Sequence, residues 1–161
     1  MYLGVSSPAA GPNRDGRGPA PPPAAGSSET AGEDEAPRRV LIVEDEGLVA
    51  ATLEAMIEGF GYVVVGIADT AAEAVDLARS TRPDIALVDI RLRGQRDGIS
   101  AAEEMTSAAG GPGIAIVFLT ANSDPATRTR AAAVGARAFL TKPFHPDELE
   151  ATLAVIAAGT N

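Results

Sequence analysis

Five residues with side chains capable of chemistry stand where short apolar runs of the sequence end. They are Glu44, Asp45, Asp89, Thr120 and Lys142. Ligand sites of open parallel sheets form outside the carboxyl ends of the strands. If the apolar runs are neighbouring strands of one such sheet, the five side chains meet in one crevice. The arrangement therefore predicts a functional site.

The acidic members of the group indicate what kind of site it is. Three carboxylates in one crevice repel one another, each pair by about 3 kcal/mol at a separation of about 5 Å and a surface-like effective dielectric constant. A proton or a cation must therefore reside among them. A site rich in oxygen, without sulfur or imidazole, suits a hard divalent cation that keeps several waters, above all Mg²⁺.

A cation among these acids would keep one carboxylate ready to react. With Mg²⁺ present, Asp89 stays ionised and can act as a carboxylate nucleophile. The Thr120 hydroxyl and the compact, mobile charge of Lys142 suit the oxygens of a phosphoryl group. The combination predicts phosphoryl transfer to Asp89.

The elements that must position these residues follow from the periodicity of the sequence. Nearly continuous apolar runs predict five strands buried on both faces, at residues 40–43, 62–67, 85–88, 114–119 and 136–141. Helix-period segments separate them, so we predict an α/β fold, a doubly wound parallel sheet between two helix layers. The flavodoxin-like strand order 2-1-3-4-5 fits best, because every candidate residue then lies on strand 1, 3, 4 or 5.

Local signals add detail to the predicted helices. Thr70 and Glu73 form a capping box, and Asp124 before Pro125 is typical of a helix start. The first helix is predicted to bury one apolar stripe, made of Leu48, Val49, Leu53, Met56 and Ile57. We interpret the acids beside turn and cap signals as structural, together with the single histidine: Asp69, Asp84, Asp97, Asp124 and His145.

Composition excludes several other classes of protein. The 161 residues contain no cysteine, which excludes disulfides, thiolate metal sites and thiol nucleophiles. The formal net charge of −9 opposes binding to nucleic acid. No apolar stretch approaches the length of a membrane span. We therefore expect a cytoplasmic protein without nucleic-acid or membrane partners.

The first 37 residues differ from the rest of the chain. They are rich in Gly, Pro, Ala and Ser and poor in bulky apolar residues. Such a segment cannot bury enough apolar surface to offset its ordering entropy, so we predict that residues 1–37 form a disordered tail. Residues 38–161 then form one domain. Only three residues follow the last predicted helix, so we expect no output domain.

Four short segments resemble the signatures of a known family. They lie in order along the chain at residues 43–46, 87–90, 118–121 and 141–144, with the sequences VEDE, LVDI, FLTA and TKPF. They are similar to the signature segments of response-regulator receiver domains of two-component signalling. The resemblance covers about residues 38 to 158. One departure is visible: the segment between Asp89 and Gly98 lacks a Pro that many members have and is one residue longer.

The resemblance implies a role for each matching acid. Asp89 would be the phosphoacceptor. Asp45, with Glu44, would hold Mg²⁺ directly or through water, and the backbone carbonyl of Arg91 would be the third protein ligand.

The resemblance also implies how phosphorylation is sensed. Thr120 and Lys142 would bind the phosphoryl group, and Phe139 occupies the position of the family's switch aromatic residue. The resemblance further implies a cis peptide bond between Lys142 and Pro143.

These observations predict a single-domain response regulator. A histidine kinase or phosphotransfer protein would phosphorylate Asp89, and the chain would then act by binding a protein partner or as a phosphate sink. It would not be an enzyme with an external substrate, because no substrate cap or insertion is evident. The alternative is a phosphorylation-independent interaction module on the same fold. The sequence names neither the kinase nor the downstream target.

Overall fold

The computed structural model describes residues 35–108, 113–121 and 124–159. Strands and helices alternate along the chain: β1 Arg39–Val43, α1 Gly47–Gly59, β2 Val63–Ala68, α2 Ala71–Thr81, β3 Ile85–Asp89, α3 Gly98–Ala108, β4 Ala115–Thr120, α4 Pro125–Ala133, β5 Ala138–Thr141 and α5 Pro146–Gly159. The predicted tail lies outside the described residues, apart from residues 35–37. None of the described helices has the length and apolar character needed to cross a membrane.

The strands form one parallel sheet in the order β2-β1-β3-β4-β5. The predicted fold class and strand order are confirmed. The strand boundaries agree with the apolar runs to within one residue, except that β5 begins two residues later than predicted. β1 and β3 lie side by side at the centre, where the strand order reverses, so their carboxyl ends flank the crevice.

Two helix layers cover the sheet because alternate residues of each strand point to opposite faces. Leu41 and Val43 of β1 pack in a core with α2, α3 and α4. Val40 and Ile42 pack in a second core with α1 and α5. The central strands β1, β3 and β4 are buried along nearly their whole length, which holds their carboxyl ends in fixed positions.

The prediction that all five strands are buried on both faces is wrong for β2 and β5. Most residues of β2 are only partly buried, and only Leu140 of β5 is fully buried. Both strands lie at edges of the sheet. An edge strand has a neighbour on one side only, so solvent reaches part of its apolar surface.

The first helix also departs from its predicted apolar stripe. Leu53 and Ile57 are buried as expected, but the side chain of Leu48 is 78% exposed. Leu48 lies in the first turn of α1, where the helix extends past the core, and it lines an open groove together with Phe144. Periodicity alone could not reveal where along the helix the core stops.

The predicted helix caps are present. The Thr70 hydroxyl accepts a hydrogen bond from the Glu73 N–H at 3.3 Å, and Asp124 accepts one from the Thr127 N–H at 2.9 Å. The Glu73 carboxylate accepts from the Asp69 N–H at 3.0 Å, one residue before the position expected for a capping box.

Candidate functional site

Three carboxylates converge at the carboxyl end of the sheet. Glu44 and Asp45 directly follow β1, and Asp89 is the last residue of β3. The two strands are parallel neighbours in register. One oxygen from each of the three carboxylates lies within 4.8 Å of the others. Because Glu44 and Asp89 are only 2% and 7% exposed, their charges need nearby cationic partners.

Lys142 supplies one of these partners. Its Nζ donates hydrogen bonds to Glu44 Oε2 at 2.6 Å and to Asp89 Oδ2 at 2.9 Å. The backbone N–H of Lys142 donates to the carbonyl of Thr120 at 2.7 Å, which joins the end of β5 to the end of β4. The peptide bond between Lys142 and Pro143 is cis, as the resemblance implies.

Burial and hydrogen bonding shift the pKa values of Glu44 and Lys142. Burial raises the pKa of the Glu44 carboxyl, and repulsion from Asp89 adds to the shift, although the hydrogen bond from Lys142 opposes it. Burial disfavours the Lys142 ammonium, but its hydrogen bonds to Glu44 and Asp89 outweigh that effect, so the pKa of Lys142 is raised. Lys142 therefore stays charged and bridges two carboxylates that repel each other.

The loop between β3 and α3 closes over the acids. The Arg91 N–H donates to Asp89 Oδ1 at 2.9 Å. The Arg93 N–H donates to Asp45 Oδ2 at 3.1 Å, and the Arg93 Nε lies 3.2 Å from the same oxygen. Sequence reasoning missed Arg93. Three arginines follow Asp89 in the sequence, but only the folded loop determines which one reaches Asp45.

Asp97 connects the start of α3 to α4. Its Oδ1 accepts hydrogen bonds from the Ser100 N–H and hydroxyl, both at 2.9 Å, which is the predicted structural role. Its Oδ2 accepts from Arg130 of α4 at 3.0 Å. Burial disfavours the Asp97 carboxylate, but these hydrogen bonds prevail and its pKa is lowered. The link to Arg130 was not predictable, because it joins two elements far apart in sequence.

The hydroxyl and aromatic residues singled out by the sequence lie on the adjoining strands. Thr120 ends β4 and is 4% exposed. Phe139 of β5 is half-buried and pairs in register with Phe118 of β4, with 5.9 Å between the ring centroids. The Arg128 guanidinium of α4 lies 6.0 Å from the centroid of the Phe139 ring. Phe139 is therefore packed between the sheet and α4.

Two residues interpreted as structural lie apart from the acids. Asp84 Oδ2 accepts a hydrogen bond from the Arg39 N–H at 2.8 Å, at the opposite end of the sheet. The side chain of His145 is 80% exposed and makes no contact with the acidic group.

The family model described as the response regulator receiver domain matches residues 40–154. The chain belongs to this family. The receiver domain of a modulated diguanylate cyclase from Desulfovibrio desulfuricans has a similar structure, with a TM-score of 0.69 and 40% identity over 77% of this chain and 96% of that chain.

Curated receiver-domain proteins are similar over different shares of their lengths. The transcriptional regulatory protein PdtaR of Mycobacterium tuberculosis is 44% identical over 113 residues, which are 70% of this chain and 53% of that protein. Protein PilH of Pseudomonas aeruginosa is 32% identical over 121 residues, which are 75% of this chain and 98% of that protein. The chain spans about half the length of several curated relatives that it matches.

Proposed function

We propose that this receiver domain is a phosphorylation-controlled switch in which a histidine kinase or a phosphotransfer protein transfers a phosphoryl group to Asp89. The observation that supports it best is the arrangement around Lys142, whose ammonium bridges Asp89 and Glu44. Asp89 lies at the end of the buried strand β3, and the acidic pair Glu44 and Asp45 directly follows the neighbouring strand β1. The Lys142 ammonium is held next to Asp89 by a hydrogen bond. A nucleophilic carboxylate that must receive a highly charged group needs such surroundings.

The donor set suits Mg²⁺. Asp45 and Asp89 offer carboxylate oxygens, Glu44 offers another directly or through water, and the backbone carbonyl of Arg91 completes the proposed protein ligands. All are hard oxygen donors, the kind that Mg²⁺ prefers. When bound, Mg²⁺ would neutralise negative charge on the transferring phosphoryl oxygens.

Asp89, Lys142 and Thr120 each have a separate role in the proposed transfer. A carboxylate oxygen of Asp89 forms a bond to phosphorus while the bond from phosphorus to the donor nitrogen breaks, and the leaving imidazole keeps that electron pair and takes a proton. Lys142, already within 2.9 Å of Asp89, pairs with the phosphoryl oxygens, and the Thr120 hydroxyl donates a hydrogen bond to one of them. The chain thus catalyses only its own phosphorylation and dephosphorylation.

The phosphoryl group would be sensed through Thr120 and Phe139. Phosphorylation brings about two negative charges to Asp89 and attracts the Thr120 hydroxyl. Movement of Thr120 at the end of β4 changes the space available to Phe139 on β5, which packs against Phe118 and beneath α4. The surface made of α4, β5 and α5 then changes, and a partner that prefers the changed surface binds. Without a partner, the chain acts as a phosphate sink.

Dependence on metal tests the proposed transfer. Incubation of the full chain with acetyl phosphate and MgCl₂ is expected to add one phosphoryl mass, released by hydroxylamine as expected for an acyl phosphate. Replacing MgCl₂ with EDTA is expected to slow the modification about 100-fold or more, because the charges of the acids and the phosphoryl oxygens are no longer neutralised. Intact-mass spectrometry measures both rates. Equal rates with MgCl₂ and EDTA would contradict the proposed metal site.

The proposed sensing route predicts that Thr120→Ala separates the phosphorylation of Asp89 from the response of Phe139. This variant is expected to accept a phosphoryl group on Asp89, but the ring resonances of Phe139 should no longer shift on phosphorylation, because the moving hydroxyl is absent. Nuclear magnetic resonance of the aromatic protons measures the shift. Thr141→Ala, an exposed threonine at the end of the adjacent strand, is the matched control and should keep the parent's shift. A full Phe139 shift in phosphorylated Thr120→Ala would show that sensing follows another route.

A further inference from the structure

Arg93 is an exposed residue that nevertheless makes two contacts with the acidic group. Its side chain is 85% exposed, whereas that of Asp45 is 14% exposed. Both its backbone N–H and its Nε lie within 3.2 Å of one oxygen, Asp45 Oδ2. The residue after it, Gly94, has a φ of 113°, a conformation that residues other than glycine rarely adopt. The positive φ of Gly94 belongs to a bend in the loop next to Arg93.

Arg93 and Lys142 divide the three carboxylates between them. Lys142 hydrogen-bonds to Glu44 and Asp89, and Arg93 pairs with the remaining acid, Asp45. Asp45 is also the most exposed of the three acids, as its side chain is 14% exposed against 1% for Glu44 and 10% for Asp89. The guanidinium therefore covers the carboxylate that a hydrated cation would reach most easily.

We propose that Arg93 competes with the divalent cation for Asp45 and so weakens metal binding at the phosphorylation site. The inference rests on the proposed function, since it takes Asp45 as a metal ligand. An oxygen bound to Mg²⁺ lies only about 2.1 Å from the ion, so a guanidinium on that oxygen would face the dication at close range. A cation that binds this oxygen of Asp45 would therefore displace the Arg93 side chain. The loop residue thereby raises the concentration of metal at which the site fills.

The solvent exposure of Arg93 limits how much its side chain can weaken Mg²⁺ binding. Exposed ion pairs contribute about 0.2 to 1 kcal/mol, which corresponds to a change of about 1.5- to 5-fold in a dissociation constant. Arg93→Ala is accordingly expected to tighten Mg²⁺ binding by about 1.5- to 5-fold. Arg93→Lys keeps the positive charge and should remain closer to the parent.

Arg96 provides a matched control in the same loop. Its guanidinium pairs with Glu104 of α3 instead of the acidic group. Arg96→Ala removes the same unit charge from the same loop, so it reports the general effect of charge on Mg²⁺ binding. The difference between the Arg93→Ala and Arg96→Ala variants isolates the contact with Asp45.

Calorimetric titration of the full chain with MgCl₂ at fixed ionic strength is the direct test. Tighter binding in Arg93→Ala than in both the parent and Arg96→Ala would support the proposal. An affinity of Arg93→Ala equal to or weaker than that of the parent, or of Arg96→Ala, would overturn it. If the parent binds Mg²⁺ and is phosphorylated normally, such a result leaves the proposed function intact. If the parent does not bind Mg²⁺, both the proposed metal site and the role of Arg93 fail.

Discussion

Asp89→Asn is expected to abolish phosphorylation of the chain by acetyl phosphate and Mg²⁺. The neutral amide of asparagine is a far weaker nucleophile than a carboxylate and offers no ionised oxygen to phosphorus. No other described acid combines the burial of Asp89 with its hydrogen bonds from Lys142 and from the backbone of Arg91. Intact-mass spectrometry should therefore show no added phosphoryl mass in the variant under conditions that modify the parent completely.

Loss of modification is informative only if the variant folds. Asp89 contributes to the raised pKa of Glu44 through repulsion between the two carboxylates. Removing that charge should relieve the repulsion, while the side-chain carbonyl of the introduced asparagine can still accept a hydrogen bond from Lys142. Because the ion pair with Lys142 is lost together with the repulsion, the thermal midpoint should stay close to that of the parent.

A second carboxylate provides the matched control. Asp124→Asn leaves a residue that caps a helix equally well, so this variant should be phosphorylated like the parent. Persistent modification of Asp89→Asn at the parent's rate would disprove the assignment of the acceptor.

The strand ends were predictable from sequence because one physical rule governs them. A nearly continuous apolar run predicts a buried parallel strand, and the strand order fixes which ends are neighbours. Asp89 and Glu44 had to converge once β1 and β3 were adjacent, and Lys142 at the end of β5 could reach them with its long side chain. The approximate positions of these residues therefore follow from the strand order and do not depend on the details of side-chain packing.

The contacts made by loops and helix termini could not be predicted in the same way. Arg93 contacts Asp45 from the loop that follows β3, and Arg130 of α4 contacts Asp97 just before α3. Neither pair follows from periodicity or from close spacing in the sequence. The exposure of Leu48 was unpredictable for a similar reason, since hydrophobic periodicity gives the buried face of a helix but not the point where the core ends.

Gly98→Ala is expected to destabilise the fold strongly and to disrupt the proposed phosphorylation site. Gly98 is the buried first residue of α3, and its N–H donates to the carbonyl of Ile90 at 2.9 Å. A Cβ at this position would lie 1.9 Å from the carbonyl oxygen of Asp89 and 2.9 Å from Cγ1 of Val88. Both obstacles belong to the central strand β3, whose backbone is held on two sides by β1 and β4.

The added methyl group can be accommodated only if α3 moves away from the sheet or β3 shifts with Asp89. Overpacking of this kind costs about 1 to 3 kcal/mol in ordinary cores, and a clash with backbone should lie at or above the upper end. Chemical denaturation should show a lower free energy of unfolding, and phosphorylation of the folded fraction should slow, because Asp89 moves relative to Lys142.

Gly47→Ala provides the matched control, since Gly47 is also the first residue of a helix. A Cβ built there meets no heavy atom within 4 Å apart from its chain neighbours and the nearby helix backbone, and alanine restricts the unfolded chain more than glycine does. Gly47→Ala should therefore leave the free energy of unfolding unchanged or raise it by about 0.4 to 1 kcal/mol. If Gly98→Ala were as stable as Gly47→Ala, the close approach of α3 to the carbonyl of Asp89 could not be a fixed feature of the fold. The position of Asp89 would then have to depend on other contacts, such as the hydrogen bond from the Arg91 N–H.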